Sequence, residues 1–208
     1  SVLFLLPKFD IIQSFVPDYL HIVLEGTVKT FLKHWIGKDS KGKNWHFNKT
    51  KRKILNDRLL SIKPSVEITR APQGIDKLLI WKASELRSFL LYYSLVYLKS
   101  LLPNRHLKHW FLFVYSMTVF LKETITYEEL VKAKVAVNKF VTEISDFYPN
   151  CSMLYTFNIH VMLHIPKAVK DFGGLWASST FPYEHFNGVL ATFIKDTRRV
   201  PQQICTSY

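Results

Sequence analysis

A mainly α-helical fold is what this sequence predicts, on three observations. Apolar residues recur at helical spacing along most of the chain, strand-like alternation is weak, and only 7 of 208 residues are glycine. Hydrophobic residues make up 48% and charged residues 21%, enough to bury a core and too apolar for a disordered chain. The length suits one domain, or one domain with an inserted lobe.

The apolar run at residues 2–6 is too short for a signal peptide, and no basic stretch precedes it. No charge-free window reaches 18 apolar residues, so no membrane span is expected. A chain opening on Ser1 reads as a segment of a longer protein, whose upstream part could complete a composite site. Residues 19–24 read as one short buried strand. Leu24, Val28, Phe31, Leu32 and Trp35 then follow helical spacing until Gly37 stops the run.

Between residues 29 and 58 stand ten Lys/Arg and two acids, a net +8 out of +12 for the chain. Residues 37–44 read as a solvated loop. The charge run suits a solvated face and a phosphate-contacting face equally well. An apolar helix is expected over 84–102, ended by Pro103, and another over 105–121. Both are apolar nearly all round and belong inside a helical lobe. Thr126-x-x-Glu129 is a capping box. It opens an amphipathic stripe of Leu130, Ala133, Val137, Phe140, Val141, Ile144 and Tyr148. These stripes read as core.

Three groups of residues could carry chemistry. Asp18-Tyr19-Leu20-His21 follows Pro17, and its plainest reading is a helix-capping Asp. His160 and His164 share one helical face at i, i+4, as metal binding needs, but Val161 replaces the Glu of the zinc proteases. Two histidines are half a zinc site, and on residues alone the structural reading leads. Glu184, in Phe181-Pro182-Tyr183-Glu184-His185-Phe186-Asn187-Gly188, falls in the first turn of a helix, where a carboxylate is favoured as a cap. Cys151 and Cys205 are too few for a disulfide framework and read as reduced thiols. No phosphate-binding glycine loop, dinucleotide fingerprint or nucleophile elbow is present.

Taken in order, the segments Val16-Pro17-Asp18-Tyr19-Leu20-His21, Trp81-Lys82-Ala83-Ser84-Glu85-Leu86-Arg87, Asn158-Ile159-His160 through His164, Gly174-Leu175-Trp176 through Glu184, and Arg199-Val200-Pro201-Gln202-Gln203 resemble a family. The chain is similar to the C-terminal part of CACTA (En/Spm-like) DNA transposases over nearly its whole length. Its tail also resembles the catalytic core of the V(D)J recombinase, where a His pair, a Gly, a Trp-Ala-Ser and a catalytic Glu follow in order. Here these are His160, His164, Gly173, Trp176-Ala177-Ser178 and Glu184.

The resemblance implies the C-terminal part of an RNase H-like fold carrying a large α-helical insertion. The end of the core would occupy 1–36, a basic loop region 37–80, the insertion 81–156, and the His-pair and catalytic-Glu helices 157–208. By motif, Asp18 matches the second of two catalytic Asp and Glu184 the Glu. The first Asp would lie upstream of Ser1, since Asp10 stands too close to Asp18. The implied chemistry is phosphodiester cleavage and strand transfer on Mg²⁺ or Mn²⁺, which carboxylates suit as hard oxygen ligands. With two of three carboxylates, this chain alone would be inactive. Zinc on His160 and His164 would need an upstream Cys-x-x-Cys.

DNA is the implied partner. Lys49, Lys51, Arg52 and Lys53, with Lys195, Arg198 and Arg199 near Glu184, are the expected phosphate contacts. A homo-oligomer is expected for the intact protein, in a nuclear or intracellular and not a secreted setting. The alternative is a decayed or domesticated module that binds DNA or protein without catalysis. A helical scaffold with no nucleic-acid role is disfavoured by the concentrated charge.

Overall fold

A computed structural model describes residues 5, 7, 10, 15–66, 68, 70–196 and 198–207. The apolar run at 2–6 lies outside them apart from Leu5. Among the described residues every regular element is helical. The chain divides into two compact units, Ser1–Ser178 and Ser179–Tyr208, the division falling within the 157–208 segment.

The first helix corrects the strand expected at 19–24. Tyr19–Val28 is wound as a π-helix and runs without a break into Lys29–Ile36, together α1. The error has a physical source. Tyr19, Leu20, Val23 and Leu24 are all buried, and a short apolar run enclosed by protein looks alike as strand or helix. Asp18 decides for the helix: its side chain accepts the amide of His21 and caps the first turn. Gly37 ends α1 as expected.

The basic loop is pinned more firmly than its composition suggests. Ser40 is buried and its hydroxyl lies 2.8 Å from the His34 carbonyl, while Trp45 and Phe47 enter the core. Helix α2 (Lys49–Leu60) is capped by Asn48, whose side chain accepts from the Lys51 amide, and it buries Leu55 and Leu59. The stretch expected as one helix over 84–102 is continuous from Ala83–Ser88 through Phe89–Tyr93 to Ser94–Leu98, together α3. It stops at Lys99. Arg58 donates to the carbonyls of Tyr97 and Lys99, satisfying helix-end acceptors that the turn to Pro103 leaves open.

Helices α4 (Asn104–Phe120) and α5 (Tyr127–Thr142) pack side by side, joined by the short turn that ends at the Thr126–Glu129 capping box. The Ser116 hydroxyl reaches the Ala133 carbonyl across this pair at 3.1 Å, a contact that close packing permits. The aromatic core sits where α1 crosses them. Phe31 packs on Trp110 and Phe140 at 5.5 and 5.3 Å, and Trp35 meets Trp110 edge-on at 5.0 Å. Buried indoles need acceptors. Trp35 donates to the Tyr148 hydroxyl and Trp110 to Ser94.

The short helix α6 (Ile144–Phe147) ends this bundle. Helix α7 (Phe157–Val161) and the turn Met162–His164 lie against α1, and Thr27 donates to the Met162 sulfur. Gly26 allows that approach. A Cβ there would sit 2.5 Å from the Asn158 side-chain nitrogen and 2.7 Å from the His21 carbonyl. Helix α8 (Ile165–Phe172) ends at Gly173, whose φ of 88° closes the helix in the left-handed region.

The second unit is built from α9 (Phe181–Phe193) and α10 (Val200–Ser207). Its loop is braced by one side chain. Gln203 accepts from the Lys195 amide at 2.7 Å and donates to the Arg198 carbonyl at 2.6 Å.

Candidate metal and nucleic-acid residues

Asp18 stands at the start of α1, positioned by the turn it caps. One carboxylate oxygen takes both the His21 amide, at 2.9 Å, and the His21 ring nitrogen Nδ1, at 2.5 Å. The Asp18 side chain is 19% exposed and that of His21 56%. The D-x-x-H spacing therefore makes a carboxylate–imidazole pair within one helical turn.

Glu184 stands in the first turn of α9, behind Pro182, and its amide donates to the Thr180 carbonyl. It is exposed, as are its neighbours on the helix. Both expected carboxylates thus occupy helix N-terminal turns, where the helix dipole favours negative charge. As oxygen donors they fit a hard divalent cation rather than zinc.

His160 and His164 lie on α7 and the turn that follows, both exposed, with ring centroids 5.4 Å apart. The i, i+4 spacing does bring the imidazoles to one side. Among the described residues no group of three or more His, Cys, Asp or Glu converges as a metal site.

Cys151 is engaged elsewhere, buried against the imidazole of His34. Its sulfur lies 3.2 Å from His34 Nδ1 and 3.6 Å from Nε2, over the ring. Trp45 donates to His34 Nε2 at 3.1 Å, so that nitrogen carries the lone pair and Nδ1 carries the proton. Burial pushes the imidazole down to about 4 and the thiol above its usual range, so both stay neutral.

No family model, curated protein or solved structure matches the chain.

The expected phosphate contacts divide by what they already hold. Arg52 is half-buried. It donates to the Phe47 carbonyl at 3.0 Å and also to the Ile36 carbonyl, tying α2 to the end of α1. That places it in the scaffold, a role hidden in sequence by its basic neighbours. Lys51 donates to the Asn44 carbonyl at 3.0 Å and lies 5.8 Å from the Phe47 ring, and partial burial lowers its pKa. Lys49 and Lys53 are exposed on α2. Lys195, Arg198 and Arg199 are exposed on the Gln203-braced loop, with Arg199 at φ 52°. No helix among the described residues is long and apolar enough to cross a membrane.

Proposed function

We propose that this chain is the C-terminal part of a DDE-type DNA transposase catalytic domain, RNase H-like in its intact form, acting on DNA in the nucleus. The observation that carries this reading is the ordered series of motifs: Asp18-x-x-His21, Trp81 through Arg87, the His160–His164 pair, and Gly174-Leu175-Trp176 leading to Glu184. Asp18 and Glu184 contribute two of three carboxylates that hold Mg²⁺ or Mn²⁺ when the first Asp is supplied from upstream. The bound metal pair would stabilise the attacking and leaving oxygens of an in-line displacement. His21 fixes the orientation of Asp18 through the ring–carboxylate contact. Exposed Lys49, Lys53, Lys195, Arg198 and Arg199 neutralise backbone phosphates.

Asp18 also favours a second reading. Its oxygen is occupied as a helix cap and imidazole partner, which a noncatalytic DNA-binding module would retain as well.

Two measurements test the proposal. Duplex binding should weaken with salt, with a log–log slope of about −0.9 per phosphate contact, or about −4.5 for five contacts. No binding, or a slope near zero, removes DNA from the reading. Metal-dependent nicking is then assayed in a longer chain carrying the upstream Asp. Glu184→Gln should abolish nicking and leave binding intact, because it removes ligand charge at nearly constant shape. Nicking that survives Glu184→Gln sinks the site assignment, and a longer chain that binds but never nicks favours the module.

A further inference from the structure

The first unit carries a cationic cleft that the motif series does not include. It lies where the first turn of α4 meets the last turn of α5, with a volume of about 530 Å³. Arg105, Lys108 and Lys139 line it, and all three are exposed. One carboxylate, Glu143, shares the wall and lies 3.8 Å from Lys139. The open N-terminal amides of α4 add positive potential at the same end.

Behind the cleft, a chain of ring contacts runs through the buried His106 and Trp45 to the basic loop. Arg105 lies 4.4 Å over the Phe147 ring, and Phe147 meets His106 at 5.8 Å. His106 meets Trp45 at 5.0 Å, and Lys43 lies 6.0 Å over Trp45. Cations rested on aromatic faces are partly ordered before any ligand arrives, so binding costs them less entropy. Three exposed cations against one carboxylate leave the cleft net positive, complementary to backbone phosphates.

We infer that the α4–α5 cleft holds backbone phosphates of a nucleic acid, with Arg105, Lys108 and Lys139 as contacts. This rests on the DNA-binding reading above and adds a second contact surface to it.

The test measures duplex DNA binding by the full chain across salt concentrations, comparing wild type with a Lys108→Gln/Lys139→Gln double variant. Both positions are exposed on helix surfaces, so thermal unfolding should be unchanged. Losing two phosphate contacts should flatten the slope by about 1.8, and Lys108→Arg/Lys139→Arg should restore it. An unchanged slope in the folded Gln variant overturns the cleft and leaves DNA binding through the other cations standing. Absence of duplex binding by wild type overturns both. Inorganic pyrophosphate is the second probe. If it binds the cleft as tightly as the duplex does, the site is one for free phosphates and the nucleic-acid assignment falls.

Discussion

Helices α4 and α9 are both rich in apolar residues, yet they are used in opposite ways. The 17-residue α4 buries nine of its residues, Trp110, Phe113 and Phe120 among them. The 13-residue α9, with Phe181, Tyr183, Phe186, Val189, Leu190 and Phe193, buries none. Apolar composition alone therefore does not place a helix in a core. α4 is enclosed because α1, α3 and α5 pack against it, whereas α9 and α10 form a unit too small to enclose either helix.

The sharpest way to break this comparison is to truncate one ring in each helix. Trp110→Ala should cost about 3–5 kcal/mol in denaturant unfolding, since it empties a closed site and orphans the Ser94 acceptor. Tyr183→Ala should stay within about 0.5 kcal/mol, being exposed. Equal losses would mean that α9 is as enclosed as α4.

Acid should act on the enclosed region next. His34 and His109 are both held down to about 4, chiefly by burial, against an ordinary value of 6.5. The unfolded chain then binds more protons than the folded one between pH 6.5 and 4. The contribution of these two histidines is full above pH 6.5, falls as pH drops through that window, and levels off below about 4. The loss is on the order of 3 kcal/mol per histidine. A melting temperature flat from pH 7 to pH 4 would contradict it, and His109→Gln should remove part of the slope.

Within the basic segment, Arg52→Ala should cost about 1–3 kcal/mol, because two carbonyls lose a charged donor. Lys53→Ala should cost less than about 0.5 kcal/mol. A salt slope flattened by Arg52→Ala at unchanged melting would return Arg52 to the phosphate contacts. The smallest effect is at the capping box, where Thr126→Ala should remove about 1 kcal/mol from the helix that walls α4.

Where the sequence could be read, local chemistry decided the outcome. The helix expected over 105–121 is Asn104–Phe120, and of the stripe Leu130, Ala133, Val137, Phe140, Val141, Ile144 and Tyr148 all are buried but Leu130 and Val141, which are half-buried. The capping box and the first-turn position of Glu184 also followed from side chains acting on their own turn. What stayed hidden depends on distant partners. Residues 19–24 look like a strand until neighbouring helices enclose them. That Arg52 also ties α2 to the end of α1 shows only once the two helices are packed together. Arg105 and Lys139 stand 34 positions apart, and only the packing of α4 on α5 brings them to one cleft.

The two thiols give the molecule a built-in clock. Cys205 is exposed on α10, while Cys151 is buried against the His34 ring. A thiol reagent added to the folded chain should consume one equivalent at once. The second follows only as the first unit opens, so its rate counts opening events directly. Labelling at neutral pH thus follows the breathing of the aromatic core in an unmodified chain, with Cys205 as the internal standard for complete reaction.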